Sequence, residues 1–340
     1  MVQRAGNHTG RAAVLRGPYN GDYVIETKIT SKEISSLDVL VHLQVSGVCS
    51  GDLHSRNGGF PAPEIPLRPL VGGHEGVGTI LQLGSDVERV AGLKVGNIVG
   101  LGWRNSTCDK MVNGLHTDGT FQEYIVAPAL HVVLIPEGLD PVAAAPLLCG
   151  GATVLAALRS GCVSIGEWIA ISGAAGGLGH LATQYAKAMG AHVVAIDGPQ
   201  PEKEAFCASL GADVYIDFSQ VQDVPAAVMR ASNGGVHAAL ILNSHGSSYV
   251  QAFRYCRPLG RVIGLVATNL DFHLGLMFAK SLSLQTQTNG RRLDISDALA
   301  MAAEGKVKPY TEILKLEDVN TALDRIQAGD VKGRLVLSMS

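Results

Sequence analysis

The spacing of apolar and polar positions changes part-way along the chain. In the first half, residues 23–30, 39–45 and 77–83 alternate or are β-branched, and glycine-containing turns separate them, which predicts strands of a small barrel-like domain. From about Gly166 an apolar run at 168–171 leads through a glycine turn into an amphipathic stretch at 178–189, followed by another apolar run at 192–196. That succession is a βαβ unit. Residues 214–216, 238–242 and 261–265 read as further strands of the same parallel sheet. Helices are predicted over 296–304 and 316–328 and a last strand over 333–337. The fold class is therefore α/β, a β-rich part joined to a doubly wound parallel sheet. No internal repeat, low-complexity tract or proline-rich linker interrupts the chain, so helices are expected to join the domains.

Composition narrows the function more than the fold. The chain has 340 residues, 46% hydrophobic and 17% charged, enough for two domains. A net charge of -3, with no basic stripe or acidic tail, points away from nucleic acid and anionic membranes and toward small-molecule chemistry. The N-terminal stretch MVQRAGNHTGRAAVL has no apolar signal core, and no apolar run has the length of a membrane span, so a cytoplasmic location is expected. Six cysteines at 49, 108, 149, 162, 207 and 256 are irregularly spaced, as free thiols or metal ligands are, rather than as a disulfide framework.

Between the strand at 168–171 and its helix lies Gly173-Ala174-Ala175-Gly176-Gly177-Leu178-Gly179. Glycines at such a turn let backbone approach a pyrophosphate, which the helix N-terminus stabilises with unpaired N–H groups and its dipole. In the G-x-G-x-x-G frame the positions are Ala174, Gly176 and Gly179, the first glycine being replaced by alanine with Gly173 just ahead. Asp197 ends the next strand at the spacing expected of a carboxylate that binds the adenosine ribose. It would repel a 2′-phosphate, which favours NAD(H) over NADP(H), although Lys203 is near in sequence.

With these elements in place, the segments SGVCSGDLH (46–54), PLVGGHEGVG (69–78), PLLCGGATV (146–154) and SGAAGGLGHLATQYAKAMG (172–190) resemble the zinc-dependent medium-chain alcohol dehydrogenases, the yeast-type branch above all. The likeness runs from about Arg11 to Leu337. It implies a GroES-like catalytic domain built from residues 1–156 and 292–340 around a Rossmann coenzyme domain at 157–291. It also implies one catalytic zinc held by Cys49, His74 and Cys149, a set whose fourth position is open to water or substrate. Alone, each cysteine would more often be core, and a lone histidine a hydrogen-bonded core residue. Asp52 matches the aspartate that orients the zinc histidine, and Glu75 the glutamate that approaches the metal during ligand exchange.

Several positions depart from the family pattern. The stretch from Trp103 to Asp118 is shortened and retains only Cys108, so no structural zinc is expected. Gly51 stands where the proton relay normally begins with a hydroxyl, and Asn57 is read as replacing the histidine that ends it. Ser50 is the one nearby hydroxyl that could substitute. The resemblance further places Phe60 and Trp103 at the substrate, Ile263 and Gly264 at the carboxamide, Leu265 beside the nicotinamide and Arg334 at the pyrophosphate. Asn243, Ser244 and His245 end a strand at the edge where ligands bind in such sheets.

The leading reading is a zinc-dependent NAD(H) enzyme interconverting an alcohol and an aldehyde or ketone, working mainly as a reductase on a substrate other than ethanol, such as a bulkier secondary metabolite. A reductase of iminium or conjugated C=C bonds, whose proton can arrive later from water, is the second. A non-redox enzyme using zinc as a Lewis acid is the third. A homo-oligomer, dimer or tetramer, is expected in each case.

Overall fold

The computed structural model describes residues 7–17, 21–59, 68–103 and 112–340, and the chain divides into two compact units. The first comprises Met1–Cys149, Ile295–Ala303 and Tyr310–Ser340; the second comprises Gly150–Asp294 and Glu304–Pro309.

In the first unit, β1 (His8–Leu15), β2 (Tyr23–Thr30) and β3 (Asp38–Val48) lead into α1 (Ser50–Asn57). There follow β4 (Leu70–Val71), β5 (Gly76–Leu83), α2 (Val87–Ala91), β6 (Ile98–Leu101), β7 (Tyr124–Pro128), β8 (Val132–Leu134) and α3 (Pro141–Ala144). The second unit contains α4 (Gly150–Ser160), β9 (Trp168–Ser172), α5 (Gly179–Ala188), β10 (His192–Asp197), α6 (Pro201–Ser209) and β11 (Val214–Asp217). It continues with α7 (Val224–Ala231), β12 (Val236–Ile241), α8 (Gly246–Tyr255), β13 (Cys256–Gly264), α9 (Gly275–Phe278) and β14 (Ser283–Thr286). The chain ends with α10 (Arg292–Ala303), β15 (Thr311–Lys315), α11 (Val319–Ala328) and β16 (Arg334–Ser338).

β1 pairs with β2 and β4, and a larger sheet runs β15-β16-β3-β5-β6-β8 with β7 also on β3. β3 is central because its face carries Val39, Val41, Leu43 and Val48 into a core shared with Phe121, Ile125, Leu335 and Leu337. The strand predicted over 39–45 continues to Val48, through Gly47, which pairs with Val336. A Cβ on Gly47 would lie 2.0 Å from Glu75 Oε2, so this glycine marks a close approach inside a strand rather than a turn.

The second unit is the doubly wound sheet. Its order is β11-β10-β9-β12-β13-β14 and every pairing is parallel. Covered strands read as continuous apolar runs, and Ile169–Ile171, Val193–Ala195 and Ala238–Ile241 are fully buried accordingly. Order reverses between β9 and β12, which opens a crevice beyond their carboxyl ends. Among the described residues, no single helix is long and apolar enough to cross a membrane.

Candidate metal centre and coenzyme cradle

Three chain turns of the first unit carry the four candidate ligands. β3 delivers Cys49 as the N-cap of α1, and Asp52, in the first turn, accepts the Cys49 N–H at 2.9 Å through Oδ2. The other oxygen of Asp52 accepts Gly73 N–H at 3.2 Å and bonds His74 Nδ1 at 3.0 Å. One buried carboxylate thus ties the Cys49 turn to the His74 turn and directs His74 Nε2 away from itself. Gly73, at φ +90°, makes this turn possible, since a Cβ there would lie 2.5 Å from the Phe121 ring. Glu75 follows at the foot of β5, its N–H donated to Thr120 Oγ1 at 3.2 Å. Cys149 ends the tight turn Ala145–Leu148 before α4.

The ligating atoms of Cys49, His74, Glu75 and Cys149 all lie within 4.8 Å of one another, a group able to hold a metal ion. Among the described residues, His74 Nε2 and Glu75 Oε2 are buried without a hydrogen-bond partner. An orphaned imidazole nitrogen facing two thiols is what a borderline-soft divalent cation satisfies, so these residues fit zinc.

The charges are strongly coupled. The hydrogen bond with Cys149 holds the Cys49 thiol well below its ordinary range against the effect of burial, with help from the Arg334 and His74 charges. The same hydrogen bond, together with burial, pushes Cys149 well above its ordinary range. Burial alone would lower His74, but the Asp52 and Cys49 charges raise it well above the usual imidazole range. Burial lifts Glu75 to about 7, opposed mainly by Arg334. Glu75 Oε1 accepts from Arg334 Nη2, and both side chains are buried.

In the second unit the glycine turn follows β9. Gly173, at φ +83°, donates to Ile196 O at 2.9 Å, and Gly176 N–H folds back to Gly173 O at 3.2 Å. A Cβ on Gly179 would lie 2.1 Å from Gly173 O, which fixes glycine at the first position of α5. Ala174 is fully buried, whereas Gly176, Gly177 and Leu178 are half-buried at the helix entrance. Asp197 accepts Ala175 N–H at 2.8 Å, Gly198 N–H at 2.7 Å and Lys203 Nζ at 2.9 Å, so Lys203 neutralises the carboxylate. Asn243 Nδ2 donates to Ser172 Oγ, Ser244 O accepts from Thr268 Oγ1 at 2.8 Å, and His245 is exposed ahead of α8. Ile263 and Gly264 are held inside the ladder, opposite Leu240 and Ile241, while Leu265 is the first residue past β13 and donates to Ile241 O at 3.1 Å.

Residues 35–137 match the alcohol dehydrogenase GroES-like domain, and residues 177–304 match the zinc-binding dehydrogenase domain. Over 322 residues the chain is 38% identical to an alcohol dehydrogenase of Schizosaccharomyces pombe, which covers 89% of this chain and 90% of that one. The chain belongs to the zinc-dependent medium-chain alcohol dehydrogenase family. It is an enzyme, an oxidoreductase of alcohols and carbonyls with a GroES-like domain and a Rossmann domain, as its sequence pattern predicts. Among solved structures, the alcohol dehydrogenase of Aeropyrum pernix superposes with a TM-score of 0.87 at 29% identity, covering 96% of this chain and 99% of that one. The acetophenone reductase of Geotrichum candidum, solved in complex with NAD, gives 0.84 at 26% identity, with 97% of each chain covered. Zinc and a nicotinamide coenzyme are the cofactors this family membership brings.

Against that family pattern, five positions of this dehydrogenase stand out. Gly51 lies under the half-buried Trp103 indole, which packs edge-on against His74 with ring centroids 4.5 Å apart at 89°. Ser50 is exposed at the first position of α1. Asn57 is occupied at the far end of that helix: Arg56 Nε donates to its Oδ1 at 3.3 Å and its Nδ2 donates to Gln327 Oε1 at 3.4 Å. His54, which sequence reasoning passed over, is exposed one turn nearer Cys49 and on the helix face of Gly51, a relation its i, i+3 spacing already contained. Arg334 is neither solvated nor at the surface, because it is only 5% exposed and its guanidinium is engaged by Glu75. Phe60 and Cys108 lie outside the described residues.

Proposed function

We propose a zinc-dependent, NAD(H)-linked oxidoreductase that works mainly in the direction of carbonyl reduction on a substrate other than ethanol. The observation that carries this reading is the convergence of Cys49, His74, Cys149 and Glu75 within 4.8 Å, beside a Gly51 that offers no hydroxyl. When bound, zinc polarises the substrate oxygen as a Lewis acid and the nicotinamide supplies or removes hydride. Cys49, His74 and Cys149 would hold the metal, one per chain, with Glu75 beside them and its Oε1 held by Arg334. Asp52 fixes the His74 tautomer by keeping Nδ1 hydrogen-bonded, which leaves Nε2 as the ligand atom. Gly173 to Gly179 receive the pyrophosphate at the entrance of α5. Asp197 takes the adenosine ribose and disfavours a 2′-phosphate, with Lys203 supporting the carboxylate.

The missing hydroxyl removes the same proton-transfer partner from both directions, and water must stand in for it. Oxidation requires an alcohol to lose its proton before or with hydride, whereas reduction ends in an oxyanion that water can protonate afterwards. His54, rather than Asn57, is the group we assign to proton exchange with solvent, because an imidazole can carry a proton that an amide cannot, and it is exposed. The indole wall over Gly51 also favours a second reading, reduction of an iminium or conjugated C=C bond, where no oxygen proton is needed at the moment of hydride transfer.

Deuterium carried on the transferring position of NADH tests this reading. Label on a carbinol carbon supports the first reading, and label on a nitrogen-bearing or β-carbon supports the second. Turnover without coenzyme consumption refutes both. Oxidation of simple primary alcohols as fast as their aldehydes are reduced refutes the directional claim.

A further inference from the structure

Gly47 sits inside β3, paired with Val336, and its φ is not in the positive range that would by itself call for glycine. What a side chain there would meet is Glu75. An added Cβ would lie 2.0 Å from Glu75 Oε2 and 3.1 Å from both Glu75 Cβ and Cδ, and these are the three atoms nearest to it. The carboxylate thus occupies the place of the missing side chain. Non-bonded carbon and oxygen rest at about 3.3–3.6 Å, so with a methyl at 47 Oε2 would have to retreat by more than about 1 Å. The Glu75 backbone is tied on both sides against that movement. Its carbonyl accepts Gly47 N–H at 3.0 Å, its N–H donates to Thr120 Oγ1 at 3.2 Å, and Thr120 Oγ1 is itself hydrogen-bonded to Ser46 Oγ at 2.7 Å. The retreat therefore falls on the side chain.

That side chain is enclosed. Glu75 is fully buried, its Oε1 accepts from Arg334 Nη2, and its Oε2 has no hydrogen-bond partner among the described residues. One of its oxygens already lies within 4.8 Å of the ligating atoms of Cys49, His74 and Cys149. Ligand atoms on one tetrahedral zinc ion lie roughly 3.3–3.8 Å apart, so a shift of about 1 Å separates a resting carboxylate from a ligating one. That is the size of the retreat a methyl at 47 would enforce. We infer that Gly47 is the seat of Glu75 and acts as a positioning residue: its bare backbone lets the carboxylate rest on Arg334 and off the metal's fourth position, and a side chain at 47 displaces it onto that position. The part that concerns the metal rests on the reading of Cys49, His74 and Cys149 as its ligands, whereas the seat itself does not. Displaced in this way, Glu75 competes for the position that water or the substrate oxygen would take.

The test uses the full-length enzyme loaded with cobalt(II), whose visible ligand-field spectrum reports the ligand set, and imidazole as a probe of the fourth position. Gly47→Ala is expected to shift the cobalt bands and to weaken imidazole binding by roughly tenfold or more, because a tethered carboxylate competes at a high effective concentration. Glu75→Gln keeps the shape and removes the charge, and an amide is a poor ligand, so in that background Gly47→Ala should leave the bands and the imidazole affinity unchanged. Equal effects of Gly47→Ala in the two backgrounds, or no effect in either, overturn the inference. Glu75→Asp withdraws the carboxylate from the seat by one methylene, and Gly47→Ala should then lower the thermal midpoint less than it does in the parent. An equal loss in both overturns the seat. Should Gly47→Ala not fold alone, folding together with Glu75→Asp supports the seat, and failure to fold in both backgrounds overturns it. Failure of cobalt to bind the parent enzyme rejects the metal reading, and the thermal coupling between Gly47→Ala and Glu75→Asp then still decides the seat.

Discussion

Replacing Asp52 by asparagine removes one charge with almost no change of shape, and its cost can be worked from the bonds. The carboxylate accepts three N–H groups, from Cys49 at 2.9 Å on one oxygen and from Gly73 at 3.2 Å and His74 at 3.0 Å on the other. An amide has a single acceptor oxygen. Turned toward Gly73 and His74, it points its NH2 at the Cys49 N–H, a donor against a donor. Turned the other way it loses two bonds, so the first orientation wins. One charge-assisted bond is then lost and one N–H is left unsatisfied, about 1–3 kcal/mol. For a chain of 340 residues that corresponds to a fall in thermal midpoint of roughly 1–4 °C. The effect on the metal should be larger in relative terms, since outer-shell partners of a ligating histidine typically contribute 10–100-fold in affinity. Competition with a chromophoric zinc chelator, run beside thermal unfolding, measures both. Zinc affinity within twofold of the parent, with Asp52→Asn folded, would refute the view that Asp52 organises the metal histidine.

Gly179→Ala places a methyl 2.1 Å from Gly173 O, so the strand-to-helix turn must open; isothermal titration should show NADH affinity falling at least about tenfold, with zinc content unchanged. Asp213 accepts Lys187 at 2.8 Å and Val193 N–H at 2.7 Å, and although burial opposes it, these bonds hold its carboxyl below the usual range. Because a lowered folded value means that the unfolded chain binds the proton more readily, the stabilisation is present above the ordinary carboxylate range and is lost as pH falls through it. Acid unfolding followed by far-UV circular dichroism should therefore be shallower in Asp213→Asn than in the parent.

The Rossmann unit was readable because its strands are uninterrupted apolar runs set between glycine turns, a pattern that carries its own period. β3 was harder, since Gly47 reads as punctuation until the Glu75 carboxylate that needs its bare backbone is seen. Cys49, His74 and Cys149 are far apart in the chain, and only the likeness of four separate segments brought them together in advance. The Glu75–Arg334 pair spans 259 residues and has no local signal at all. The absence of a hydroxyl at Gly51 was plain from the chain, but the indole beside it follows a different strand, β6. His54 illustrates the opposite case. Its helical spacing from Gly51 was present in the sequence, and counting along the chain to Asn57 passed over it.

Metal content tests the central claim most directly. Elemental analysis of the enzyme purified without chelator, alongside Cys49→Ser, His74→Ala and Cys149→Ser variants that remain folded by circular dichroism, counts zinc per chain. One zinc per chain in the parent and much less than one in each variant is the predicted result. A parent without zinc, or zinc retained in full by all three variants, would contradict it.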